Sequence, residues 1–343
     1  MQHRFSALDG LRGAAAISVA VYHFYYSFPG YLAVDFFLVL SGFVLTHNYL
    51  YTSAAISPRK FIWRRLARLY PLHLFTLVTW TAGYVLYIGA LPSYADGTIW
   101  TFLQHLTLTQ NVGLSPSETS WNTPSWSISV EFWINILFLY LVSITTRSYL
   151  LVAVAVGALF IIYSQSGDLD VSHENYFYYL NSGLLRGLAS FFIGIIAYRV
   201  YRQCLAWKPE LALASVIEVA LLLAVVAIFY FRSSLRSEQD FIAPFLFCIV
   251  VVIYSLERGI VSLLFSKLKW LGDISYSVYL NHFTVIWLLL YGWQNILGLD
   301  MDSLRSFSTF ALYLILVVAY SKATYIFIEK PAQLFLRKQG PGC

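Results

Sequence analysis

Charge is what this chain has least of. Only 11% of its 343 residues are Asp, Glu, Lys or Arg and 59% are hydrophobic, whereas a soluble domain carries roughly a quarter charged residues. With a mean hydropathy of +0.67, a water-soluble globular fold is excluded. Cysteine is scarce as well. Cys204, Cys248 and Cys343 stand far apart without ligand spacing, which argues against a disulfide framework and a zinc site alike, so no metal is expected. A P-loop, a dinucleotide fingerprint, internal repeats and low-complexity tracts are all missing. The chain reads as one transmembrane unit over 1–343 with no soluble domain.

What the chain has in abundance is membrane-length apolar sequence. Ten stretches approach the ~20 residues that span hydrocarbon: 7–28, 31–51, 71–91, 127–145, 149–164, 181–201, 211–231, 241–257, 274–297 and 304–328. The fold class expected is all-α, a polytopic membrane protein of about ten helices. The first stretch is read as a helix and not as a signal peptide, because another membrane-length segment follows Pro29-Gly30 at once. With the amino terminus in the cytoplasm, sixteen of the 22 Lys and Arg fall on the inner side. Three (Arg232, Arg236, Arg305) fall outside and three (Arg12, Arg186, Lys322) within spans. The positive-inside rule therefore places both termini in the cytoplasm, and the excess of five positive charges is a matter of topology, not of nucleic-acid binding.

The first span holds two ionisable residues, Arg12 and His23, and such a group in hydrocarbon is a site hypothesis by default. Eleven residues at about 100° each make roughly three turns, so both leave one helix face about 16 Å apart. A long, thin ligand fits that spacing. Helix two brings Asp35 to the depth of His23, and Glu131, about one turn into helix four after Trp126-Ser-Ile-Ser-Val, comes level with it too. Either carboxylate suits the orientation of an imidazole. Pro58 opens and Pro71 closes an expected interfacial cytoplasmic helix, 58–70, with Arg64, Arg65 and Arg68 on a cationic face suited to phosphate. The long outer loop, 92–126, is rich in Trp and Tyr, as fits an interface belt or stacking on sugar rings. Arg186 enters its span in need of a carboxylate, a carbonyl cluster or a ligand, and His282 lies mid-depth after Tyr279. Asp168, Asp170, His173 and Glu174 form an acidic loop read as solvated. The closing Glu329-Lys-Pro331 reads as a cytoplasmic stop.

Six of these stretches, in order, resemble the acyltransferase-3 family of integral membrane acyltransferases. They are Arg12-x10-His23 within Leu8-Asp-Gly-Leu-Arg-Gly, Asp35-Phe-Phe-Leu-Val-Leu-Ser-Gly42, and Arg65-x-x-Arg68 before Tyr70-Pro71. Trp126-Ser-Ile-Ser-Val-Glu131, Ile274-Ser-Tyr-Ser-Val-Tyr-Leu-x-His282 and Glu329-Lys-Pro331 complete the set. The resemblance implies acyl transfer, usually acetyl, from coenzyme A in the cytoplasm to a hydroxyl of a glycan or lipid-linked sugar. It implies Arg12 and His23 as the functional pair, with Arg65 and Arg68 beside them. The chain departs from some family members in having no fused outer hydrolase-like domain, and in carrying Phe132 after Glu131 where many have an acidic or polar residue.

The expected roles are then as follows. Arg12, Arg64, Arg65 and Arg68 hold the phosphates of acetyl-coenzyme A, and His23 is general base with Asp35 or Glu131 orienting it. Trp126, Arg186, Tyr279 and His282 are candidates for the acceptor or the oxyanion. The expected location is a bacterial inner membrane, with the bilayer, acyl-coenzyme A and a saccharide as partners. Rival readings are a multi-pass transporter or flippase, whose inverted repeats and broken helices are not seen, and an acyltransferase with a succinyl donor or a non-glycan acceptor.

Overall fold

The structure is a computed structural model that describes residues 4–50, 57–94, 97–114, 121–141, 147–232, 237–298 and 306–341. Helices run in the order α1 (Ser6–Phe24), α2 (Ala33–Leu45), α3 (Pro58–Ile88), α4 (Thr98–Thr107), α5 (Trp126–Leu141), α6 (Ser148–Gln165) and α7 (Ser182–Cys204). They continue with α8 (Leu211–Arg232), α9 (Ala243–Ser255), α10 (Ile260–Lys267), α11 (Lys269–Asp273), α12 (Ser275–Tyr291), α13 (Phe307–Thr324) and α14 (Lys330–Gln339). Among the described residues the one strand pairing is a two-residue hairpin, Asn175–Tyr176 against Leu180–Asn181.

Every expected apolar stretch carries a helix, and seven helical runs are long and apolar enough to cross a membrane: Gly30–Leu50, Pro58–Ile88, Ser148–Gln165, Ser182–Cys204, Leu211–Phe231, Glu238–Ser255 and Phe307–Gln339. The three helices left out, α1, α5 and α12, are the ones diluted by polar side chains: Asp9, Arg12 and His23; Ser127, Ser129 and Glu131; Ser275, Ser277, Asn281 and His282. Candidate site residues and weak membrane signal thus coincide, as burial of polar groups away from lipid requires.

Two expected stops are absent. Helix α3 runs through Pro71 without ending, because an interior proline removes one ladder bond and a long helix anchored on both sides tolerates that loss. Its true end is Gly89, which takes the left-handed φ of +76° open to glycine. The segment 58–70 is therefore the first part of a 31-residue helix and not a separate interfacial one. At the other end of the chain, Tyr325–Glu329 widens into a π-turn and the helix resumes as α14, with Pro331 in its first turn where no amide donor is missed. The outer loop 92–126 carries a helix, α4, among its described residues. It folds α4 inward, with burial pushing the His105 imidazole down to about 3. The neutral ring donates from Nδ1 to Thr101 O (2.9 Å) and accepts the Trp121 amide on Nε2 (3.3 Å).

Helices α2 and α7 form the centre, with 78% and 72% of their apolar windows buried against 11% for α8, which faces lipid. They cross at backbone contact. A Cβ on Gly42 would run into the Phe191 carbonyl, and one on Gly194 into that of Val39. Such small-residue crossings replace the hydrophobic drive that lipid does not provide. An ion pair locks the same crossing: Arg186 Nη2 donates to Asp35 Oδ2 at 2.6 Å, both side chains being essentially inaccessible. Ser190 Oγ donates to Asp35 Oδ1 (2.8 Å) and Arg186 Nη2 also reaches Tyr31 O (2.8 Å). Removing one partner leaves a buried, uncompensated charge. Arg186→Met is expected to cost about 3–5 kcal/mol and the Arg186→Met/Asp35→Leu double variant to recover much of that, read as thermal unfolding in detergent.

Candidate functional site

Helix α1 sets the site because its backbone lies directly on α11. A Cβ at Gly272 would meet the Asp9 carbonyl, and that approach brings Arg12 into reach of the α11–α12 junction. Arg12 Nη2 donates to Gly272 O (2.6 Å) and Nε to Ser275 Oγ (2.9 Å), with Asp9 Oδ1 at 3.4 Å. Arg4 braces the same corner, bonding Asp9 and Asp273 at 2.6 Å each. Three turns further on, His23 Nδ1 lies 3.1 Å from His282 Nε2 and 3.1 Å from Val19 O. Both Arg12 and His23 therefore turn toward α11 and α12.

Arg12 opens onto a cavity of about 690 Å³ of empty space, part of it continuous with solvent. Its walls come from α2 (Phe37, Leu40, Ser41, Val44, Leu45), α3 (Arg65, Arg68), α5 (Ser127, Ile128, Glu131) and α12 (Ser275, Tyr276, Tyr279). Three guanidinium groups face one carboxylate, so the lining favours an anion. Arg65 is held over the rings of Phe61 and Tyr49 at 5.4 and 5.9 Å. Its buried Nε has no hydrogen-bond partner among the described residues, which leaves a donor unused. Tyr279 stands at one wall with its hydroxyl 2.7 Å from Ser127 Oγ, and its ring lies 6.1 Å from that of His282. The imidazole pair begins beyond it, and neither His23 nor His282 lines the cavity.

Several expected placements change. Arg64 is exposed and outside the cavity wall, whereas Arg65 and Arg68 form part of it. Asp35 does not orient His23, because its oxygens are occupied by Arg186 and Ser190 on α7. Glu131 lines the arginine cavity, with Ser41 Oγ at 3.4 Å, and is not bonded to His23 either. Arg186 found both of the partner types its burial demanded, a carboxylate and carbonyl oxygens, and so is spent on structure. Trp126 stacks over that guanidinium at 5.6 Å and belongs to the same pair. The acidic loop is partly engaged too: Tyr22 donates to Asp170 (2.9 Å), and Glu174 accepts from Ser182 Oγ (2.8 Å). Ser275, Tyr276 and Ser127 were missed as wall residues. A signal for Ser275 existed, since Ser275, Tyr279 and His282 recur at the i, i+4, i+7 spacing of one helix face, but it does not extend to Tyr276 or to Ser127 on α5.

Comparison with known proteins bears on the family of the chain. A protein of Rhizobium radiobacter named Protein 2 in picA locus is 44% identical over 102 residues, covering 27% of this chain and 53% of that one. The acyltransferase MdmB of Streptomyces mycarofaciens is 34% identical over 147 residues, 38% of this chain and 37% of that one. The peptidoglycan O-acetyltransferase OatA of Listeria monocytogenes is 25% identical over 315 residues, 82% of this chain and 49% of that one. The chain thus spans about half or less of the length of these relatives. No solved structure matches it. A family model described as an acyltransferase domain matches residues 5–325, and the chain belongs to that acyltransferase-3 family.

Proposed function

We propose that this membrane protein is an O-acyltransferase. It moves an acyl group, acetyl first among the candidates, from acyl-coenzyme A to a hydroxyl of a glycan or lipid-linked saccharide. The observation that carries the reading is the cationic cavity lined by Arg12, Arg65 and Arg68, which ends at Tyr279 beside the imidazole pair. Relatives named as an acyltransferase and a peptidoglycan O-acetyltransferase support the reaction class and the saccharide acceptor. The distribution of Lys and Arg supports an orientation with the arginine end facing the cytoplasm, and the bacterial sources of the relatives support a bacterial cytoplasmic membrane.

In this reading the phosphates of the donor meet the three arginines by charge-assisted hydrogen bonds. The cavity stops at Tyr279, so the thioester arm has to pass that ring to reach His23, about 16 Å from Arg12 by helix rise. Of the two imidazoles, His282 is fully buried and His23 only half-buried beside the exposed Tyr26, so His23 is the one an acceptor reaches. It takes the proton of the acceptor hydroxyl as the oxygen attacks the thioester carbonyl. The tetrahedral oxyanion then collapses, the C–S bond breaks, and the thiolate of coenzyme A leaves with the proton held on the imidazolium. Tyr279, and not Arg186, is the donor placed to meet the oxyanion, since Arg186 is committed to Asp35 and to the Tyr31 carbonyl while Tyr279 stands at the cavity wall.

Purified protein incubated with labelled acetyl-coenzyme A and cell-surface polysaccharide tests the reaction, because a transporter forms no ester. His23→Ala is expected to lower transfer by about 10²–10⁴-fold while leaving donor affinity unchanged by calorimetry. Retention of full activity would remove the mechanism. Arg12→Ala and Arg68→Ala should each weaken acetyl-coenzyme A binding by roughly tenfold to a hundredfold, the worth of a hydrogen bond to a charged group. Arg64→Ala, outside the cavity, should leave binding unchanged.

A further inference from the structure

We infer that His282 is the positioning residue for His23: it fixes which ring nitrogen of His23 carries the proton and so which one is free to act as base. The inference rests on the reading of His23 as general base. It assigns to a neutral imidazole the task for which the sequence suggested a carboxylate.

The argument follows the hydrogen bonds. Each histidine has its Nδ1 near the carbonyl four residues earlier on its own helix, His23 at 3.1 Å from Val19 O and His282 at 3.2 Å from Val278 O. A carbonyl oxygen only accepts, so both Nδ1 atoms must carry hydrogen. With Nδ1 protonated, the neutral His282 ring has its lone pair on Nε2. That lone pair faces His23 Nδ1 at 3.1 Å and accepts from the same N–H that Val19 O shares. His23 is then left with its lone pair on Nε2, the only nitrogen of the four without a partner among the described residues. The opposite assignment, with His23 protonated on Nε2, would set two nitrogen lone pairs against two carbonyl oxygens. Among the described residues no carboxylate bonds either ring; the surrounding groups are Tyr22, Tyr26, Tyr279 and Phe283.

Positioning of this kind has a kinetic signature. Losing the acceptor frees the ring to rotate and to populate the wrong tautomer, which affects the chemical step but not the distant arginines. With acetyl-coenzyme A and chito-oligosaccharides as substrates, His282→Ala should lower kcat by about 10-fold or more, the lower bound taken from groups that orient metal-bound imidazoles. The KM for acetyl-coenzyme A should not change. His282→Gln places an amide oxygen near the former Nε2 and should recover most of the rate. Unchanged kcat in His282→Ala, a rise in KM alone, or failure of Gln to outperform Ala would overturn the assignment. A second measurement needs no turnover. In ¹⁵N-histidine protein in nanodiscs, the His23 resonances, identified by their loss in His23→Gln from the seven histidines, should show protonated Nδ1 and free Nε2. The reverse pattern sinks the inference even if His23 proves essential. The expected pattern together with no ester formed on any glycan would count against the proposed function alone.

Discussion

A charge or polar group inside an apolar body needs a partner, and that requirement decides which helices of this protein touch. Asp35 and Arg186 tie α2 to α7, Arg12 ties α1 to the α11–α12 junction, Ser277 and Glu329 tie α12 to the π-turn after α13, and His23 and His282 tie α1 to α12 again. Lipid offers no hydrophobic drive for helix association, so these pairs and the glycine crossings supply specificity that apolar surface alone cannot. The residues that make α1, α5 and α12 poor membrane spans by hydropathy are also among those that hold the bundle in register and line its cavity.

The helices themselves were legible because apolar length is a local property. So was the demand that Arg186 find a carboxylate, a carbonyl cluster or a ligand, since that follows from one residue type in one environment. Its choice of Asp35 was not legible, because it joins residues 151 positions apart. Pro71 and Pro331 misled for a related reason: a proline marks a boundary only if nothing else holds the chain helical on both sides of it. Packing along α3 and the π-turn before α14 provide that hold, and neither is written in the residues adjacent to the prolines.

Direction around each helix was not recoverable from sequence, and neither was the depth of Glu131, which packs beside Ser41, six residues along α2 from Asp35 and about 9 Å away by helix rise. Asp35, Glu131 and His23 were placed level and therefore together, yet they face different ways. On α2 the cavity wall uses Phe37, Ser41 and Val44, an i, i+4, i+7 stripe. Asp35 precedes Phe37 by two residues, about 200° around the helix, and so looks away toward α7. On α12 the corresponding stripe runs Ser275, Tyr279 and on to His282, and it carries the wall of the cavity past its end to the imidazole pair. One contact per helix is enough to orient the whole stripe, but the sequence alone contains none.

The separation of arginines from imidazoles has its own electrostatic logic. A donor rich in phosphate calls for cations, while a general base loses proton affinity when cations stand beside it. In an apolar interior Coulomb interactions are weakly screened, so distance is the main protection available. Three turns of α1 and the Tyr279 ring provide it. A carboxylate next to His23 would have raised basicity further, but at the cost of burying another net charge in a bundle that already has to neutralise the buried Asp35 with Arg186. Two neutral imidazoles avoid that. In the proposed reaction the reacting end stays uncharged until a proton is taken from the acceptor, and the positive charge that appears there is met by the His282 lone pair.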